Sequence, residues 1–124
     1  MGSSRSYTVD DVVRVSEISM KRAQTAWRAL GLDQSVGLHQ AVAAVVVADL
    51  VADRQIAVGD KEVLHRVLVT LTGGWAAGHS LLFAGGDIEL HLGRADTSSL
   101  ATRSDAVVFV FSPDDIARRL ASGV

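Results

Sequence analysis

Apolar residues recur at helical spacing in two short segments near the start of the chain. Thr8 and Asp11 have the spacing of a capping box, which predicts that a first helix begins here. Ser19 is placed to cap a second helix that runs to about Leu30, and Gly31 is placed to end it. The apolar stripe of this second helix consists of Ala23, Ala26, Trp27 and Leu30.

Two longer helices are predicted in the middle of the chain. Residues 39–53 are apolar on nearly every face, and their length favours a helix over a strand although valines are frequent. Such a helix must be covered on several sides, and a second copy of the chain is one way to cover it. Asp60 is predicted to cap the next helix, which ends at Gly73-Gly74 and has an apolar stripe of Val63, Leu64, Val67, Leu68 and Leu71.

The last third of the chain changes to the alternation of strands. Residues 80–84 and 88–92 flank Gly85-Gly86-Asp87, which predicts a hairpin. Residues 107–111 are apolar without a break, which predicts a strand buried on both faces. Ser112-Pro113, followed by two acids, predicts a helix start. The predicted fold class is α+β, a helical N-terminal head followed by a small, mostly antiparallel sheet with a C-terminal helix.

The connection between the first two predicted helices has the residue types of a helix-turn-helix. Val13 occupies the slim position that faces the second helix, Ile18 seals the corner, and Ser19 caps the second helix. The segment resembles the head of lac-repressor-type and MerR-type regulators, and the resemblance covers about 25 residues. Two residues depart from that pattern. Val13 stands in place of the usual alanine and is slightly bulky, and Glu17 stands in place of the usual turn glycine and is strained if the turn needs a positive φ. The matching residues are Tyr7, Thr8, Val9, Asp11, Val12, Ile18 and Ser19.

The resemblance implies that the second helix lies in the major groove of DNA, with side chains near its start reaching base edges. The candidate DNA-binding residues on that helix are Met20, Lys21, Arg22, Gln24, Thr25 and Arg28. Arg5 is expected on an N-terminal arm, and backbone N–H groups near Thr8 and Ser19 are expected to contact phosphate. The alternative is that the cations of this helix form an ordinary solvated face.

The distribution of charge agrees with a DNA-binding head. The formal net charge is −2, but residues 1–30 hold five basic and three acidic groups, whereas the remainder holds seven basic and eleven acidic groups. A positive head on an acidic body suits a protein that presents one face to DNA. Because one head has a modest charge, a homodimer with recognition helices about 34 Å apart is expected. The apolar helix at 39–53 and the edge of the sheet are the expected dimer surfaces.

Little else in the sequence indicates chemistry. The chain has no cysteine, which excludes disulfides and thiolate sites. His79, Glu89 and His91 could meet on the sheet as a metal site, but exposed polar residues of a hairpin are the favoured interpretation. There is no nucleophile–base arrangement, so no enzyme, cofactor or metal is expected. Residues 67–86 lack charged side chains, yet glycines interrupt them, and a cytoplasmic protein with no membrane partner is expected.

The sequence therefore predicts a helix-turn-helix head at 1–35 and a helical plus β lobe for dimerisation or partner binding at 36–124. The expected function is a sequence-specific transcriptional regulator, repressor-like, whose partner is double-stranded DNA. Arginine outnumbers lysine ten to two, which is typical of a GC-rich source and fits a phage or actinobacterial repressor. One alternative is a protein-interaction module, antitoxin-like or host-factor-binding, which uses the β lobe and keeps the helix-turn-helix as a scaffold. Another is a ligand-sensing lobe with a pocket lined by Trp75, Phe83, Phe109 and Phe111.

Overall fold

The predicted order of helices and strands is present in the folded chain. The computed structural model describes residues 5–84, 87–92 and 108–122. The described helices are α1 (Val9–Ser16), α2 (Met20–Ala29), α3 (Leu38–Ala52), α4 (Lys61–Thr72) and α5 (Pro113–Ser122). The described strands are β1 (His79–Ala84), β2 (Asp87–Leu92) and β3 (Phe109–Phe111). The α+β class, with helices first and a C-terminal helix after the sheet, is confirmed.

Four helices begin at the polar residue that was predicted to cap them. At α2, α4 and α5 the side chain of the capping residue accepts a hydrogen bond from a backbone N–H of the first turn, and at α1 the Asp11 carboxylate accepts one from the N–H of the capping residue Thr8. These bonds join Thr8 N to Asp11 Oδ2 (2.9 Å), Arg22 N to Ser19 Oγ (3.3 Å), Val63 N to Asp60 Oδ1 (3.4 Å) and Asp115 N to Ser112 Oγ (3.2 Å). Local chemistry therefore sets where these helices start.

Helix α3 is the central element of the fold. Its residues from Ala41 to Ala48, and Leu50, are all buried. Helices α1, α2, α4 and α5 of the same chain pack against it. The prediction that a second copy covers residues 39–53 is wrong, because four other helices of the same chain already cover this helix. A dimer, if formed, uses another surface.

The three described strands form one antiparallel sheet in the order β2-β1-β3. The predicted hairpin strands pair with Phe83 opposite Ile88 and Leu81 opposite Leu90, while its turn residues Gly85 and Gly86 lie outside the described residues. On the other side of β1, Leu82 pairs with Val110. The expectation that the last strand is buried on both faces is wrong, because Val110 is 51% exposed, while Phe109 and Phe111 pack on the main core and Val108 packs on Leu82 and Ala84.

The helical head and the rest of the chain share one hydrophobic core. A main-chain bridge pairs Tyr7 with Val36, with N–H to carbonyl distances of 2.8 and 2.9 Å in the two directions. The buried cluster extends from Tyr7 and Trp27 to Leu120 at the C-terminal helix. The division at residues 35 and 36 stays a prediction, and the pairing crosses it. None of the described helices has the length and apolar character needed to cross a membrane.

Candidate nucleic-acid interface

The turn between α1 and α2 has three residues, Glu17 to Ser19. Glu17 ends α1 in the left-handed region, with φ 55° and ψ 42°, and its N–H donates to the Val13 carbonyl at 2.9 Å. The position where the resemblance places a glycine is therefore a position that needs a positive φ. Ile18 and Val13 are partly buried against the core. This is expected of the apolar residue that follows the turn and of the residue of α1 that faces α2. A three-residue turn of this kind is typical of a helix-turn-helix.

Helix α2 is held by one apolar face. Ala23, Ala26 and Trp27 are buried, and α2 packs against both α1 and α3. The Trp27 Nε1–H donates to the Asp33 carbonyl at 2.8 Å, which ties the end of α2 to the loop after it. Gly31 follows the helix with φ 68°, and its predicted role as the residue that ends α2 is confirmed. These contacts fix which face of α2 is left outside.

The opposite face of α2 carries most of the predicted DNA-binding residues. Met20, Lys21, Arg22, Thr25 and Arg28 are exposed, and Gln24 is half-buried. The Thr25 hydroxyl donates to the Lys21 carbonyl at 2.8 Å, so its proton is used within the helix. The exposed donors of this face are therefore mainly the cationic side chains.

Three of the described basic side chains have a carboxylate partner, and the cations of α2 are among those that have none. Arg14, Arg66 and Arg118 form ion pairs with acids one turn away, at 2.9–3.1 Å. Within residues 5–84, 87–92 and 108–122, Lys21, Arg22 and Arg28 form no ion pair. Positive charge that the chain does not neutralise is what binding to phosphate requires.

The other predicted DNA-binding residues are placed differently. The Arg5 guanidinium donates to the Ala121 carbonyl at the end of α5 and lies 5.1 Å from the centroid of the Tyr7 ring. The Thr8 N–H, an expected phosphate anchor, donates to the Asp11 carboxylate. Ser19 is exposed at the start of α2, and its hydroxyl oxygen caps that helix. Thus Ser19 lies with the α2 face, whereas Arg5 and Thr8 are engaged elsewhere in the fold.

An open groove of about 360 Å³ runs along the first half of α2. Residues at the end of α3 complete it, and Arg54 supplies a further exposed cation. Sequence reasoning missed Arg54, because no spacing pattern relates a residue after α3 to the face of α2. The groove is lined by Lys21, Arg22, Thr25, Val51, Ala52 and Arg54.

A partly buried polar junction lies where α1, α3 and α5 meet. Burial raises the pKa of the Asp49 carboxyl above its ordinary value of 3.8. The Ser16 hydroxyl and the Arg119 charge oppose this rise, while the negative charge of Asp53 adds to it. The Ser16 Oγ is buried and has no hydrogen bond of normal geometry with any described residue. These groups lie on the side of the fold where α5 contacts α1.

The aromatic residues expected to line a ligand pocket belong to the packing of the fold. Phe83 is fully buried, and Phe109 and Phe111 pack against the core. The Trp75 Nε1–H donates to Asp114 Oδ1 at 3.0 Å, and its ring centroid lies 4.7 Å from that of His39. In the described residues, no group of three or more potential ligands is placed to hold a metal ion. The side chains of Glu89 and His91 lie outside this description.

No protein-family model, curated protein or solved structure matches this chain. The geometry and charge of the residues themselves therefore carry what is inferred about function.

Proposed function

We propose that the chain is a DNA-binding transcriptional regulator that reads double-stranded DNA with α2. The observation that carries the proposal is the exposed face of α2, whose cations have no ion-pair partner among the described residues. The capped α1–turn–α2 unit holds this face outward, because Ala23, Ala26 and Trp27 occupy the inner face. Recognition helices of this class place their first turns in the major groove.

Lys21 and Arg22 are the residues expected to determine affinity. Both lie in the first turn of α2, where a long cationic side chain reaches guanine O6 and N7 or a phosphate oxygen. Arg28, two turns further along, is expected to contact the phosphate backbone. Gln24 is half-buried, so adenine recognition by its amide requires the side chain to extend from the helix edge.

Occupancy of an operator is the proposed mode of regulation. Two copies would place two α2 helices in successive major grooves, about 34 Å apart. The second copy would add phosphate contacts to the few cations of one α2 face. Because α3 is enclosed within one chain, the dimer surface is expected on another element, such as an edge of the sheet.

The test is fluorescence anisotropy with labelled duplex DNA at about 50 and 200 mM salt, where counterion release makes binding fall steeply. A Lys21→Ala/Arg22→Ala variant should lower the slope of log K against log salt by roughly 1.8, because each lost phosphate contact removes about 0.9. Arg118→Ala is the matched control, since Arg118 is likewise exposed but is paired with Asp115 at 3.0 Å.

Two results would contradict the proposal. One is a wild-type protein that does not bind duplex DNA at the lower salt concentration. The other is a double variant whose affinity and salt slope match those of Arg118→Ala. Either result would favour the protein-interaction module, and a partner search with the β lobe would then replace operator selection.

A further inference from the structure

Arg54 has a backbone conformation that arginine rarely adopts. Its φ is 59°, and Glu17 is the only other non-glycine residue with a positive φ in the described residues. Arg54 follows α3, where its N–H donates to the Val51 carbonyl at 3.0 Å and the Gln55 N–H donates to the Leu50 carbonyl at 2.8 Å. This is a Schellman ending, in which glycine is the usual residue because it has no Cβ to clash. An arginine here retains a steric cost that glycine would remove.

This ending brings the Arg54 side chain to the groove beside α2. Lys21, Arg22 and Thr25 line the same groove from α2, and Val51 and Ala52 form its apolar part. Arg54 forms no ion pair in the part of the chain that the structure describes, although the acid Asp53 precedes it directly. Two cations from α2 and one from the residue after α3's cap therefore border one groove, and none of the three has a carboxylate partner in the described structure.

A phosphodiester backbone is the occupant that this groove fits. The cations that border the groove come both from α2 and from the residue after α3, so an extended chain of phosphates suits their spread better than a single small anion. Arginine binds phosphate oxygens through two parallel N–H donors. Arg54 follows α3 and lies beside the first half of α2, so it is next to the helix that reads bases and not on it. Residues in such flanking positions contact the backbone and set the register of the reading helix.

We propose that Arg54 binds a DNA phosphate beside the bases that α2 reads, so that the DNA interface extends beyond the helix-turn-helix onto the end of α3. This inference rests on the proposed function, and it adds a positioning residue that the sequence motif does not contain. A backbone contact has two measurable consequences. It weakens binding about equally on all sequences when it is lost, and it contributes about 0.9 to the salt slope.

The deciding variant is Arg54→Gly, because it separates folding from binding. Glycine relieves the positive φ, so the variant should unfold at the same temperature as the wild type or higher. Its salt slope should nevertheless fall by about 0.9, with an equal loss of affinity for a selected duplex and for an unrelated duplex. Arg54→Lys keeps the charge and should retain the slope, and Arg118→Ala controls for loss of an exposed arginine.

The outcomes distinguish this inference from the proposed function. Suppose that wild type binds DNA and Lys21→Ala/Arg22→Ala loses binding, but Arg54→Gly keeps the wild-type slope. The contact at Arg54 is then refuted while the proposed function stands. A loss on the selected duplex alone would also overturn the backbone contact, because it would indicate a base contact. If wild type binds no duplex at low salt, both proposals fail together.

Discussion

Two groups of basic residues in this chain have the same chemistry and opposite surroundings. Arg14 and Arg119 lie between α1 and α5, and they donate to backbone carbonyls across that contact. Arg119 Nη2 donates to the Val15 carbonyl at 2.8 Å. Arg14 donates to the carbonyls of Arg119 and Leu120 at 3.0 and 3.1 Å, at the negative end of α5. These guanidinium groups join the first and last described helices.

Lys21, Arg22 and Arg54 form the other group. They border the groove beside α2, and in the described structure they have no ion-pair partner. The comparison shows that counting charges by segment overestimates the cations that have no partner within the fold. Arg5 and Arg14 contribute to the positive charge of the head, but both are engaged by carbonyls of α5. The first group is therefore expected to affect stability, and the second to affect DNA binding.

The largest expected effect on stability comes from breaking the first group. Arg119→Met keeps the aliphatic stem but leaves the Val15 carbonyl without its donor, and it should lower the free energy of unfolding by about 1–2 kcal/mol. Urea unfolding measures this loss, and the salt slope of DNA binding, taken where the variant is folded, should equal that of wild type. A lower salt slope would contradict the division of the basic residues into two groups, because it would place Arg119 in the DNA interface.

A gain in stability of similar size is expected at the turn between α1 and α2. Glu17→Gly removes the steric cost of φ 55° and should raise the free energy of unfolding by roughly 1 kcal/mol. DNA affinity should not fall, since Glu17 does not belong to the group of Lys21, Arg22 and Arg54 that is expected to bind DNA. Glu17→Ala is the control, because it removes the charge but keeps the Cβ. If alanine stabilised as much as glycine, the charge of Glu17 and not its conformation would be the cause.

The smallest expected effect is a pH dependence at the polar junction beside Arg119. A carboxyl whose pKa is higher in the folded state stabilises the fold when protonated. Its contribution is complete below the ordinary value of 3.8 and is lost as pH rises through the raised pKa. Ser16 and Arg119 offset part of the burial cost, so the effect should be small.

Asp49→Asn should therefore stabilise the protein at neutral pH more than at about pH 3.5, as measured by urea unfolding at the two values. Asp53→Asn is the control. It removes only the repulsion between the Asp53 and Asp49 carboxylates, which raises the Asp49 pKa less than burial does, so it should reproduce only a part of the pH-dependent stabilisation. An Asp49→Asn effect that is equal at both pH values would show that the titration of this carboxyl does not matter for stability.

Much of the fold could be predicted because its signals are local. The caps at Thr8, Ser19, Asp60 and Ser112 act within one turn of their helices, and Gly31 ends α2 where a positive φ is needed. Hydrophobic spacing placed the inner face of α2, and thereby its exposed face. The requirement for a positive φ at Glu17 followed from the expected turn. Such features depend on neighbours in sequence, so a single sequence is enough to predict them.

Long-range contacts decided the rest. The apolar composition of α3 required other elements to bury it. Only the folded chain shows that helices before and after α3 in the same chain do so. In the same way, the sequence places arginines at 5, 14, 54 and 119 without saying which meet carbonyls and which meet solvent. That distinction depends on α5 packing beside α1, about a hundred residues away in sequence, and on α3 ending beside α2. By itself the sequence determined the helices and their exposed faces, while tertiary packing decided which charges remain available for binding, because packing determines which partners each side chain can reach.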